Sequence, residues 1–207
     1  MSLPDLSKIR LFRMVHISNI PHILEHGITH MVSPNKNLDY KSIGDGSLIN
    51  YRNKFSIKNG RKLGEYIPFY FGPRMPMLFV IKNGFNGVTA TPQSDIIYCV
   101  TNIATVIEYR LDWCFTDGHA VERFTDFYFE NDLDNIEGIV DFKAVKTKNW
   151  IDENDLDLKR RMEAEFLVVG DIPPAAIRGF VVYNEDAKAA MALLTQKPVV
   201  VRQDYYF

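Results

Sequence analysis

Several widespread catalytic motifs are missing from this sequence of 207 residues. It has no glycine-rich phosphate loop, no GxGxxG fingerprint, no HExxH pair and no GxSxG around a serine. Their absence removes the usual sequence support for kinases, Rossmann dehydrogenases, zinc proteases and serine hydrolases.

Cysteine and long apolar runs are also scarce. The two cysteines, Cys99 and Cys114, form no CxxC pair, and the five histidines do not cluster with them at zinc-binding spacing. We therefore expect reduced thiols and no metal site. No apolar run approaches the ~20 residues of a membrane span, and the polar N-terminal residues lack a signal-peptide core. These features predict a cytoplasmic protein that is not bound to a membrane.

The composition is that of an ordinary globular protein, with 46% hydrophobic and 24% charged residues. It predicts one domain over residues 1–207 with a sizeable core. Nothing marks an obligate interface, so we expect a monomer. The net charge of -2 excludes a surface that is basic throughout, and any nucleic-acid contact must come from a local patch.

Short strand-like and helix-like segments follow one another irregularly. We predict strands over residues 10–17, 67–71, 76–81, 95–100, 113–115, 165–169, 177–183 and 198–202. We predict helices between residues 18 and 27, where Gly27 is the stop signal, and over 103–109, 156–164 and 186–196. The absence of a βαβ rhythm places the chain in the α+β class.

A basic segment lies near the N-terminal end, within a predicted loop of about residues 33–64. Between Asn35 and Gly64, seven lysines and arginines against two aspartates give a charge of +5. Tyr40, Tyr51 and Phe55 are interleaved with these charges. Basic charge attracts phosphates and aromatic rings stack on bases, although a solvated loop has the same composition.

The strongest candidate for chemistry is a pair of carboxylates at the start of an apolar strand, Glu163 and Glu165. If both residues are extended, they lie on one face, and their repulsion raises at least one pKa into a range useful for proton transfer. A carboxylate there could also stabilise an oxocarbenium-like sugar. The alternative is a pair of glutamates at a helix end, bonded to Arg160 and Arg161.

Other polar residues are candidates only because of their positions. His16 ends the first strand, where its ring could bind a ligand hydroxyl or serve structure alone. His119 follows a turn. Arg52 and Arg74 could bind phosphates.

Four blocks taken together resemble the DarT family of DNA ADP-ribosyltransferase toxins. They cover residues 15–28, 66–79, 115–120 and 159–168, in the family's order. The stretches Pro68–Met77 (PFYFGPRMPM) and Ala164–Val168 (AEFLV) are the most specific of them.

This resemblance implies an ADP-ribosyltransferase-like α+β fold, with NAD in the cleft of a split, mostly antiparallel sheet flanked by short helices. It implies catalytic roles for Glu165, Arg52 and His119. It also implies NAD binding by His16, Ile17, Ser18, Gly27, Arg52, Arg74 and Met77. The acceptor would be a base of single-stranded DNA, often thymine, and the partner a DarG-type macrodomain antitoxin.

One departure leaves the acceptor open. The family commonly has glutamine two residues before the catalytic glutamate, and this chain has Glu163. In the wider class, Glu-x-Glu accompanies arginine acceptors, so guanine, RNA or a protein arginine stay as alternatives. A binding module without activity is the remaining alternative. A second departure, Met75 where serine is usual, should be tolerated.

Overall fold

The computed structural model describes residues 3–207 and contains one eight-stranded sheet. Its strands are β1 Arg10–His16, β2 Tyr66–Tyr70, β3 Ile96–Asn102, β4 Trp113–Thr116, β5 Phe127–Tyr128, β6 Glu165–Val169, β7 Gly179–Val182 and β8 Val199–Val201. Its spatial order is β5-β4-β6-β2-β1-β3-β7-β8, and every pairing is antiparallel except that of β7 with β8. The predicted α+β class with a mostly antiparallel sheet is confirmed.

Short helices flank the sheet. They are α1 Ile20–His26, α2 Gly46–Arg52, α3 Pro76–Asn83, α4 Ile103–Glu108, α5 Ile136–Ile139, α6 Phe142–Val145, α7 Leu158–Met162 and α8 Glu185–Ala192. Single 3-10 turns occur at Ile17–Asn19, Leu63–Glu65, Phe85–Gly87, Gln93–Asp95, Glu130–Asn135, Pro174–Ala176 and Gln203–Tyr205.

The two faces of the sheet have separate apolar cores because side chains alternate along each strand. On β1, Leu11 and Val15 point into the larger core, whereas Phe12 points into the smaller one. A third cluster, around Leu63 and Leu167, includes buried residues of β2, β4 and β6.

Two sequence predictions are wrong. Residues 76–81 form part of α3 instead of a strand, because Pro76 occupies the first helical turn, where its missing N–H costs nothing. Leu78 and Ile81, three apart, then face the smaller core. The segment predicted as a loop also contains α2, whose N-terminus is capped by the Asp45 carboxylate.

Candidate active site

The sheet is split between β1 and β2. These strands pair at Phe12–Tyr70 alone, whereas β1 pairs with β3 at seven positions and β2 with β6 at five. Where they diverge, Nη1 of Arg13 donates across the gap to the carbonyl oxygen of Pro68 at 3.0 Å. The divergence opens a cleft of about 570 Å³, lined on the strands by Arg13, Met14, Val15, Tyr66, Ile67, Pro68 and Tyr70. We call it the split cleft.

Glu165 begins β6 directly opposite Tyr70, at the inner end of the split. Its side chain has no exposed surface. Oε1 accepts hydrogen bonds from the amide of Ala120 at 2.9 Å and from Nη1 of Arg52 at 3.1 Å. Oε2 lies 2.9 Å from Nη2 of Arg52. The carboxylate is therefore fixed by one charged and one backbone donor.

Arg52 reaches Glu165 from 113 positions away in the sequence. It ends α2, whose capping residue Asp45 accepts bonds from the amides of Ser47 at 2.8 Å and Leu48 at 3.3 Å. The Arg52 side chain is only 11% exposed. Two of the predicted catalytic residues thus form a buried ion pair.

Burial is the largest single influence and would raise the pKa of Glu165, but the charges of Arg52 and His119 and the hydrogen bonds donated by Arg52 and Ala120 together outweigh it. The pKa of Glu165 therefore lies below its ordinary value, and the carboxylate is ionised at neutral pH. The sequence-based expectation of a raised pKa in this carboxylate pair is not met at Glu165.

Glu163 does not share a strand face with Glu165. It caps the C-terminus of α7 with φ -90° and ψ 22°, so period-two alternation does not apply. Its carboxylate lies 2.7 Å from Nζ of Lys159, one helical turn back. The alternative pairing with Arg160 and Arg161 is wrong as well, because both arginines form ion pairs with aspartates. Arg160 pairs with Asp117 and Asp157, and Arg161 pairs with Asp141, Asp155 and Asp157.

His119 lies beside the ion pair, with Nε2 3.9 Å from Oε1 of Glu165. Both ring nitrogens are buried and have no hydrogen-bond partner among residues 3–207. The turn that carries His119 is held by Thr116, whose Oγ1 accepts from the amide of Glu165 at 2.9 Å and donates to the carbonyl oxygen of Gly118 at 2.6 Å. Sequence reasoning missed the roles of Thr116 and Ala120, since the strand pairing that places them is not local.

A second cavity of about 470 Å³ adjoins His119, and we call it the acceptor cavity. Its wall includes Tyr51, Met77, His119, Lys159 and Glu163. Met77 lines both this cavity and the split cleft. Arg52 thus lines the split cleft and His119 the acceptor cavity, while the buried Glu165 contacts both residues without lining either space.

His16 is fixed at the end of β1 as the cap of the 3-10 turn Ile17–Asn19. Its Nδ1 accepts from the amide of Ser18 at 3.0 Å, so the neutral ring carries its proton on Nε2. That Nε2 is buried without a partner in the described chain. Burial, and then the charge of Lys41, lower the pKa of His16.

Gly27 ends α1 with φ +83°, a conformation that favours glycine. A Cβ atom there would lie 2.0 Å from the carbonyl oxygen of Ile172, because a bridge between Ile28 and Ile172 holds the two chain segments together. Gly27 also lines the split cleft.

The structure separates the predicted NAD-binding residues. Gly27, Arg52 and Met77 line the split cleft, whereas residues 16–18 do not line it. Arg74 lines a different cavity of about 1320 Å³, with its guanidinium 4.3 Å from the ring centre of Phe207.

Among residues 3–207, no cluster of three or more potential metal ligands occurs. In the same range, no helix has the length and hydropathy needed to cross a bilayer.

A split antiparallel sheet, with a buried glutamate on β6, the strand next to β2 at the split, is the arrangement expected of an NAD-dependent ADP-ribosyltransferase. Residues 12–207 match the family model described as ssDNA thymidine ADP-ribosyltransferase, DarT. The chain belongs to the DarT family.

Characterised relatives agree with this family. A DNA ADP-ribosyl transferase from Escherichia coli is 31% identical over 185 residues, which cover 87% of this chain and 83% of the relative. A fusion of a DNA ADP-ribosyl transferase with a DNA ADP-ribosyl glycohydrolase, from Thermosipho africanus, is 29% identical and matches 88% of this chain and 44% of the fusion.

Solved structures agree in fold. Thermus DarT in complex with ADP-ribosylated single-stranded DNA superposes with a TM-score of 0.84 at 26% identity, covering 100% of this chain and 99% of the other. The same enzyme in complex with NAD⁺ gives a TM-score of 0.79 at 27% identity, covering 100% of both chains.

Proposed function

We propose that this chain transfers ADP-ribose from NAD to thymidine in single-stranded DNA. The observation that carries the proposal is the buried Glu165 carboxylate, ion-paired with Arg52 of the split cleft and lying 3.9 Å from His119 of the acceptor cavity. The family assignment supports the same reaction, since the related Thermus enzyme binds NAD⁺ and ADP-ribosylated DNA.

NAD occupies the split cleft in this proposal. Gly27 is part of the cleft wall, and its missing side chain lets the wall pack against the carbonyl oxygen of Ile172. His16 lies outside the lining of the cleft, at the end of β1, and its Nε2–H is a buried donor without a partner in the described chain, suited to a hydroxyl of a ligand that extends beyond the cleft. Its lowered pKa keeps the ring neutral at pH 7, so that Nε2–H remains beside an unprotonated Nδ1.

The reaction breaks the bond between nicotinamide and the ribose, and nicotinamide leaves with the bonding electron pair. The ribose then carries positive charge, which the nearby Glu165 carboxylate stabilises in a site with little water. Arg52 holds that carboxylate in one orientation and keeps it ionised. A fixed negative charge beside the ribose is the main catalytic device.

The thymine ring nitrogen attacks the ribose and loses its proton. Glu165 and His119 are the two groups at the site that can accept it. The ring of His119 is free to do so because neither nitrogen has another partner in the described chain. Acceptance by Glu165 requires Arg52 to move away first, since the pair lowers the basicity of the carboxylate.

The arginine-acceptor alternative suggested by Glu163 is disfavoured. The carboxylate of Glu163 lines the acceptor cavity, but the ammonium group of Lys159 lies 2.7 Å from it. The two charges offset each other, and an arginine substrate would meet no free negative charge there.

We further propose the biological setting of a toxin that blocks replication. A DarG-type macrodomain antitoxin would remove the modification, and the Thermosipho fusion of transferase and glycohydrolase supports such a pairing. Since the enzyme uses both NAD and DNA, it would act in the cytoplasm.

Intact-mass analysis of short single-stranded oligonucleotides tests the reaction. We expect NAD-dependent addition of one ADP-ribose to thymine-containing strands only. Glu165→Gln should abolish it, whereas Glu185→Gln, at an exposed position on α8, should not. Addition that persists in Glu165→Gln refutes the site. Labelling of RNA or protein in place of DNA refutes the acceptor.

A further inference from the structure

The cavity beside Arg74 differs from the two spaces used in the reaction. Its volume of about 1320 Å³ exceeds that of both, and we call it the basic groove. Five basic side chains line it without a carboxylate in ion-pairing range among residues 3–207: Arg10, Arg74, Lys143, Lys146 and Lys148.

The acidic residues of the groove are mostly neutralised. Asp5 pairs with Lys8, Asp141 with Arg161, and Asp204 with Arg202, so that Glu137 is the one acidic lining residue without an ion-pair partner within residues 3–207. Five free positive charges therefore face about one negative charge, in a protein whose net charge is -2. Such a local excess attracts a polyanion.

The groove also offers aromatic surface beside these charges. The half-buried ring of Tyr205 forms part of its wall, and the guanidinium of Arg202 lies 4.2 Å above that ring. The Nε of Arg74 is buried without a partner in the described chain. Cations next to an accessible ring are the combination that binds the backbone and bases of single strands.

Two stretches of the chain connect the lining of the basic groove with that of the acceptor cavity. Arg74 lies three residues before Met77, which lines the acceptor cavity. In the second stretch, α6, which carries Lys143, packs against α7, which carries Lys159 of the acceptor cavity. A strand with one base at His119 would have to cover only these short stretches of chain to reach the groove.

We infer that the basic groove holds the phosphates of the DNA strand next to the modified thymidine. This inference rests on the proposed function, because it assumes a single-stranded DNA acceptor at His119. It assigns the DNA track to Arg10, Arg74 and the lysines in and after α6, instead of to the basic segment of residues 35–64. Lys54, Lys58 and Lys62 of that segment line none of the three cavities.

Binding of a fluorescein-labelled oligothymidylate, measured by anisotropy without NAD over a range of salt concentrations, tests the inference. Each phosphate contact on a single strand contributes about 0.7 to the slope of log affinity against log salt. The triple variant Lys143→Gln, Lys146→Gln, Lys148→Gln should therefore lose about 2 from the slope and bind at least about tenfold more weakly at low salt.

Two variants with the same change in charge serve as controls. Arg110→Gln, Arg178→Gln, Lys188→Gln alters exposed residues outside all three cavities and should keep the slope. Lys54→Gln, Lys58→Gln, Lys62→Gln tests the basic segment and should keep it as well. An unchanged slope in the groove variant, or a loss confined to the segment variant, overturns the inference.

The same variants separate this inference from the proposed function. If the groove variant loses the slope but the wild-type protein modifies no DNA, the groove binds single strands and the reaction is misassigned. If the wild type modifies DNA and the groove variant binds and reacts like it, the reaction stands and the track lies elsewhere. Wild-type binding to vesicles of anionic lipid, with none to the oligonucleotide, also overturns the inference.

Discussion

The losses of stability caused by removing Arg52 and by removing Glu165 should not be additive, because the two residues form a buried ion pair. Oε2 of Glu165 and Nη2 of Arg52 are 2.9 Å apart, and the side chains are 0% and 11% exposed. At an effective dielectric constant of about 20, that separation corresponds to roughly 6 kcal/mol of attraction. Desolvation of both groups offsets most of it, so the net contribution of the pair is small.

Removing one partner leaves the other charge buried alone. We expect Glu165→Gln and Arg52→Gln each to lower the free energy of unfolding by about 3–5 kcal/mol. The double variant should lose less than the sum of the two single losses by at least about 2 kcal/mol, because it leaves no uncompensated charge. Urea unfolding at pH 7, followed by circular dichroism, measures all three losses.

The stabilising contribution of Glu165 should depend on pH. The folded-state pKa of Glu165 is lowered, so its stabilising contribution is complete above the pKa of the unfolded chain, near 4.3. That contribution disappears as the pH falls through the folded-state value, and the cost of Glu165→Gln should shrink in acid. Additive losses at pH 7, or a cost that does not change down to pH 3, would refute the buried pair as described.

Two further predictions concern His16 and Gly27. Burial lowers the pKa of His16, so below about pH 6.5 the unfolded chain binds a proton at this residue that the folded chain does not. The protein should therefore lose stability as the pH falls below that value. His16→Gln should flatten this part of a profile of thermal unfolding against pH. Gly27→Ala should lower the free energy of unfolding by at least about 2 kcal/mol and weaken the thermal shift produced by NAD, since the new Cβ would lie 2.0 Å from the carbonyl oxygen of Ile172. Gly60→Ala is the matched control, because Gly60 has a similar φ and a Cβ there would have no atom within 4 Å. Equal losses at both sites would mean that the contact with Ile172 is unimportant.

Local sequence signals predicted those elements whose bounds are set by neighbouring residues. The strand Glu165–Val169 forms over the predicted range, and α1 ends where Gly27 predicts. The apolar run after Arg74 was misassigned because a short hydrophobic segment with a proline at its start suits a strand or a buried helix equally well by periodicity.

The site was predicted in part. Residue types and family resemblance identified Glu165, Arg52 and His119, and the structure places all three together. The contacts that position these three residues could not be predicted from the sequence. The amide of Ala120 and the hydroxyl of Thr116 reach Glu165 through strand pairings between distant segments, which no local spacing records. Arg74 was predicted beside NAD, and the structure places it in the basic groove.

The divergence of β1 from β2 also creates a hazard for the folded chain. Each strand has a neighbour on its other side, but the edges that face each other across the cleft are open, as at the margin of a sheet. Open edges invite strand addition by another chain and aggregation. Pro68 lacks an N–H to offer such a strand, and Arg13 already occupies the Pro68 carbonyl oxygen. Pro68 and Arg13 therefore disfavour the pairing of another strand in the cleft, while the cleft stays open to a ligand.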